Sequence, residues 1–160
     1  MPIWIDVDWQ LRGEVRVDPT GRLGFPAVDK GPALYRLWIE SADERPSVYV
    51  GETGNLVSRL RSYRTPGVGQ PTNLRVRKAL LDALRAGAKV TLWTAIEARV
   101  AFDAAEPRAL DLSRKNQRLV AEQAAIAEAL LAEDLGDIDA DQPVRPRLLN
   151  KPGVGELPYD

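Results

Sequence analysis

The chain has 160 residues, 44% of them hydrophobic, a formal net charge of -1 at pH 7, no cysteine and no histidine. That length and apolar content suit one mixed domain with a real core and leave little room for a separate recognition domain. Without cysteine there are no disulfides, thiol nucleophiles or thiolate zinc sites; without histidine there are no serine-histidine triads or histidine bases. Hydrolytic chemistry must therefore rest on tyrosine, carboxylate, lysine or a metal-bound water.

At the N-terminus Ile5, Val7 and Trp9 alternate with Trp4, Asp6 and Asp8, the period of a half-buried strand. Asp18-Pro19-Thr20-Gly21 has the residues of a type I turn between short apolar flanks. Residues 1 to 30 thus read as a strand or hairpin extension of the same domain. Asp6 and Asp8 stand where a signal peptide would need a basic start and an apolar centre, and no apolar run reaches membrane-spanning length. A cytoplasmic protein with no membrane partner is the expectation.

Residues 34 to 40 and 47 to 50 read as strands, and the short polar connection between them makes an antiparallel pair the simplest arrangement. Thr53 and Asn55 can cap a helix carrying Leu56, Leu60 and Tyr63 at helical spacing, with Arg59 bordering that buried face. A glycine- and proline-containing loop over residues 65 to 71 leads to a second helix over 74 to 85, with Val76, Leu80 and Leu84 inward and Gly87 past its end. Residues 89 to 96 alternate as a third strand of the sheet, Val90, Leu92, Thr94 and Ile96 on one side and Trp93 on the other. A polar stretch broken by Pro107 precedes a long helix over about 113 to 131. The rest is rich in proline and glycine, with Arg147-Leu148-Leu149-Asn150 the piece expected to be pinned to the body and residues 151 to 160 a C-terminal tail.

Charge is segmental. Residues 54 to 90 hold Arg59, Arg61, Arg64, Arg75, Arg77, Lys78, Arg85 and Lys89 against the single acid Asp82. A basic stretch of this kind can be two solvated helix faces or a surface for phosphates. Glu122 stands out among the acids because it falls between Leu119 and Ile126, inside what reads as the apolar stripe of the long helix. A carboxylate there needs a cation or strong donors: a divalent metal, or an arginine if Glu122 lies at the stripe's edge. Glu128 lies on the other side of that helix and reads as surface.

Ala33-Leu34-Tyr35 and Tyr49-Val50-Gly51, followed by Arg59, Glu122 and Asn150 in that order, resemble the GIY-YIG nuclease superfamily over residues 31 to 150. The resemblance implies a small central antiparallel sheet flanked by helices, and a divalent-metal-dependent endonuclease acting on DNA, with RNA left open as a substrate. By the same resemblance Glu122 would hold Mg2+ or Mn2+, Arg59 would stabilise charge on the phosphate, and Tyr35 or Tyr49 would help generate the attacking hydroxide, Tyr35 being preferred. Tyr63 would lie near the site in a secondary role, and Asn150 would orient groups near Glu122. An unperturbed tyrosine, with a pKa of about 10, is a poor base, so Arg59 and the metal would have to lower it. Arg61, Arg64, Arg75, Arg77 and Lys78 would meet backbone phosphates rather than bases.

The chain departs from the family pattern at Ala33, Leu34 and Val50, and at Glu52, a carboxylate that could weaken phosphate binding or add a metal contact. A non-catalytic module binding nucleic acid or protein in a larger assembly is the other reading. A single short domain implies one strand cut per site, and a double-strand break would take a homodimer or a partner protein. Restriction, repair, mobile-element and toxin roles all stay open. Gly51-Glu52-Thr53-Gly54 lacks the lysine and hydroxyl residue of a phosphate loop, and Asp137, Asp139 and Asp141 lack the glycine and glutamate of a calcium loop.

Overall fold

Alternation along the strands decides which residues meet on each side of the molecule. The computed structural model describes residues 2 to 42, 45 to 134 and 147 to 150. In chain order these form β1 (Ile3–Val7), β2 (Gln10–Val17), β3 (Leu23–Gly24), β4 (Ala33–Glu40), β5 (Ser47–Thr53), α1 (Leu56–Arg64) and α2 (Pro71–Arg85). After them come β6 (Lys89–Ala95), β7 (Ala98–Phe102), β8 (Arg108–Ala109), α3 (Lys115–Asp134) and β9 (Arg147–Leu148). A six-stranded sheet runs β3-β2-β6-β4-β5-β9 and a three-stranded one β1-β7-β8. All pairings are antiparallel except that of β9 on β5. The fold is mixed α+β, with antiparallel sheets and three helices among the described residues.

β4 lies between β6 and β5, and its near-continuous apolar sequence follows from being covered on both sides. Tyr35, Leu37 and Ile39 pack with Tyr49, Val90 and Leu92 beneath Leu56, Leu60 and Tyr63 of α1 and Val76, Leu80 and Leu81 of α2. On the opposite face Val48 and Val50 of β5 meet Ala125 and Ala129 of α3. Side chains of this kind contribute roughly 1.5–3 kcal/mol each on full burial, so the sheet is fixed from both sides. No helix among the described residues is long and apolar enough to cross a membrane.

Several local expectations need correction. The hairpin expected within residues 1 to 30 is that of β2 and β3, joined at the Asp18–Gly21 turn, whereas β1 lies outside it and pairs with β7 in the smaller sheet. α2 begins at Pro71 rather than at 74, because a proline in the first turn has no hydrogen bond to lose. Ile96 lies past the end of β6 and is exposed. The buried stripe of α3 runs through Arg118, Ala121, Ala125 and Ala129, while Leu119 is 38% exposed, so Glu122 flanks the stripe instead of lying within it. Asp137, Asp139, Asp141 and residues 151 to 160 lie outside the described residues.

Candidate active site

Tyr35 stands directly across the β4–β5 ladder from Gly51, and its phenol lies over that glycine. A Cβ at Gly51 would overlap the Tyr35 ring and hydroxyl, so this approach requires glycine. The Asn55 side chain caps α1 by accepting from the Ser58 amide at 3.2 Å, which sets the helix phase that places Arg59 and Tyr63 against the sheet. Arg59 Nε donates to the Tyr35 hydroxyl at 2.9 Å, and the Tyr35 and Tyr63 hydroxyls share a hydrogen bond of 2.6 Å. The Arg59 guanidinium also lies 5.0 Å from the Tyr63 ring centroid, a cation-π contact. The rings of Tyr35, Tyr49 and Tyr63 pack around one another with centroids 6.2 to 6.4 Å apart.

Tyr35 and Tyr63 are 0% exposed and Tyr49 is 7% exposed. Burial, followed by the neighbouring Tyr49, pushes the Tyr35 phenol well above the usual tyrosine range, and the opposing effect of Arg59 is smaller. Burial and then Tyr35 raise Tyr63 in the same way. Arg59 acts in the expected direction, but in the metal-free chain desolvation outweighs it, so the Tyr35 phenol is neutral there and its hydroxyl holds Arg59 in place.

Glu52 is the next residue after Gly51 on β5 and faces α3. Its carboxylate accepts from Arg118 Nε at 2.7 Å, and Arg118 Nη1 donates to the carbonyls of Leu112 and Ser113, each at 2.9 Å. Arg118, 7% exposed, was not singled out from the sequence. The usable signal was a carboxylate at the inner end of a core strand, which needs a cation, and an arginine one turn before Glu122. The pairing answers how Glu52 is accommodated, since its charge is met within the chain.

Glu122 is half-buried. Burial and then the charge of Glu52 raise its pKa above the ordinary glutamate value, against hydrogen bonds from the Glu52 main chain and Gln123 and the attraction of Arg59. Tyr35, Tyr63, Arg59, Glu52 and Glu122 thus gather at one end of the sheet, where its two faces meet. The raised carboxyl fits a cation, which would favour the ionised form. Among the described residues no group of three or more ligating side chains occurs.

Three of the residues expected to meet phosphates have definite partners. Arg64 pairs with Asp18 and donates to the Leu23 carbonyl at 2.7 Å, Arg75 Nη1 donates to the Leu149 carbonyl at 2.8 Å, and Lys78 pairs with Asp82 at 2.5 Å. Arg77 Nε is buried without a hydrogen-bond partner among the described residues, and Arg61 is exposed and lines a cavity together with Phe25, Val57 and Leu60. The Asn150 side chain accepts from the Val50 amide at 2.8 Å and donates to the Val50 carbonyl at 2.7 Å, closing the end of the β9–β5 pairing.

No protein-family model matches the sequence, and no curated protein gives a significant match. Among solved structures, a point mutant of bacteriophage T4 EndoII is similar with a TM-score of 0.48 and 18% identity, over 74% of this chain and 87% of that one.

Proposed function

We propose that the chain is a divalent-metal-dependent endonuclease, using Mg2+ or Mn2+, that hydrolyses phosphodiester bonds in DNA. The observation that carries this reading is the gathering of Arg59 and Glu122, from helices far apart in sequence, beside the Tyr35-Tyr63-Gly51 contact. A bound divalent ion would supply charge neutralisation at the phosphate and a more acidic water.

The chain's own part follows from the geometry. Glu122 would hold the ion, and the Arg59 guanidinium, fixed through Nε by Tyr35, would turn its remaining donors to the phosphate oxygens. Water attacks phosphorus, the new P–O bond forms as the bond to the leaving oxygen breaks, the attacking water's proton passes to a base, and the leaving oxygen takes up a proton from solvent. Tyr35 or Tyr49 would serve as that acceptor only as a tyrosinate, its own proton having first been lost to solvent, a form that a bound cation and Arg59 would favour. Arg61 and Arg77 stand as phosphate contacts beside the partnered Arg64, Arg75 and Lys78.

One observation favours the alternative of a non-catalytic module binding nucleic acid or protein in a larger assembly: two of the three phenols are fully buried and bonded to each other. Incubation with supercoiled plasmid separates the two. Nicking that requires Mg2+ or Mn2+ and stops with a chelator is expected of the nuclease, and no nicking with either ion would favour the module.

A further inference from the structure

A cleft of about 470 Å³ opens beside the candidate site and includes Arg12, Lys30, Leu56, Leu112 and Ser113 in its wall. It shares two walls with the site. The Leu112 and Ser113 carbonyls are those held by Arg118, the partner of Glu52, and Leu56 opens the helix that carries Arg59. From these observations we infer that the cleft seats the DNA strand next to the cleaved bond, with Arg12 and Lys30 neutralising its phosphates. The inference rests on the nuclease reading and extends it to residues outside the segment that resembles a nuclease family.

Arg12 reaches the cleft through an irregularity in β2. The register with β6 passes from Leu11 opposite Trp93 to Gly13 opposite Leu92, leaving Arg12 without a ladder partner, as in a β-bulge. Gly13 takes φ +145, which L side chains rarely adopt, and a Cβ there would press on Pro26 at 3.2 Å. The strand thus spends an extra residue and a glycine to redirect one arginine. Arg12 Nε then donates to Thr94 Oγ1 at 2.7 Å, and Thr94 is buried, so the guanidinium is aimed while its terminal nitrogens can still donate.

The cleft's own acids are Asp29 and Asp111. Asp111 Oδ1 is engaged by the amide and hydroxyl of Ser113 at 3.0 and 2.6 Å, while Asp29 opposes a phosphate and can instead accept from an exocyclic base amine. The expected basic surface on α2 is a poorer path, because Arg75 and Lys78 already hold partners there. A strand leaving Arg59 toward α2 meets Arg75 and Lys78 already partnered, whereas one leaving toward Leu56 meets Arg12, held among the described residues only through Nε, and Lys30.

The test uses the whole chain, a fluorescent DNA duplex for binding in chelator, and supercoiled plasmid for cutting in Mg2+. Removing two phosphate contacts with Arg12→Ala/Lys30→Ala should lower the slope of log affinity against log salt by about two and weaken binding at least about tenfold at low salt. Arg16→Ala, one charge removed from the same strand away from the cleft, should leave the slope unchanged. Because loss of the Thr94 bond could disturb β2, Lys30→Glu alone, at an exposed position, should also weaken binding while melting like wild type. A double variant with the wild-type slope overturns the cleft assignment, even if the wild type cuts and the nuclease reading stands. If the wild type binds without cutting, the nuclease reading falls, and the slope still upholds or overturns the cleft.

Discussion

The face of the sheet under α1 and α2 and the face under α3 accommodate their buried polar groups by different means. Beneath α1, Tyr35 and Tyr63 are neutral and share a hydrogen bond, and Arg59 sits at the margin. Under α3, Arg118 is buried against Glu52 with Glu122 beside it, and Arg36 lies 4.6 and 4.9 Å from the ring centroids of Trp9 and Trp93. Burial lowers the Arg36 pKa, and the charge of Glu128, read from the sequence as plain surface, works against that. A neutral pair has modest net value, about 0.5–1.5 kcal/mol per hydrogen bond, and is tolerant of its surroundings. A buried charge depends on its partner, so the α3 face is where substitution, pH or a cation should have most effect.

Arg118→Ala should show the largest effect. It strands the Glu52 carboxylate and two carbonyls, at a cost of about 3–5 kcal/mol in urea unfolding. Arg118→Met with Glu52→Leu should recover much of that loss. A single variant as stable as wild type would show that Glu52 is solvated, and the contrast between faces would collapse. Gly51→Ala should come next, at about 1–3 kcal/mol, because the Tyr35 phenol must move away from the new methyl. Adding Tyr35→Leu should relieve part of the loss; no relief would place the strain in the β5 backbone instead of the tyrosine.

The smallest expected effect is in pH. The Glu122 pKa is raised in the folded, metal-free chain, so its contribution to stability is fully present below the unfolded value and is lost as pH rises through the folded one. With chelator present, wild type should therefore lose stability relative to Glu122→Gln as the pH rises from below 4.5, and added divalent ion should reverse the trend. A difference flat with pH would mean that Glu122 is fully solvated.

The sheet under α1 was legible because its signals are local. Tyr35 and Tyr49 sit in alternating apolar runs, and Asn55 precedes a helix with unambiguous spacing. The α3 face was less so. Its buried stripe is made of alanines, whose weak apolar signal lets Leu119 and Ile126 suggest the wrong phase, and Arg118 in the first turn resembles any solvated charge. The Ala98–Phe102 strand went unread because five mixed residues carry little periodicity, and its pairing with β1 is a long-range choice. Arg12 was hidden by a bulge that only the register reveals. Asn150 was correctly expected to be pinned, but its partner proved to be the Val50 main chain.

The central claim is that Glu122 holds the catalytic ion where the two faces meet, and plasmid nicking by Glu122→Gln, measured beside its thermal melting in the same buffer, tests it most directly. The variant keeps the side-chain volume and loses the charge, so nicking should fall by orders of magnitude while the chain stays folded and still binds DNA through its arginines. A folded Glu122→Gln protein that nicks plasmid as fast as the wild type would contradict the claim.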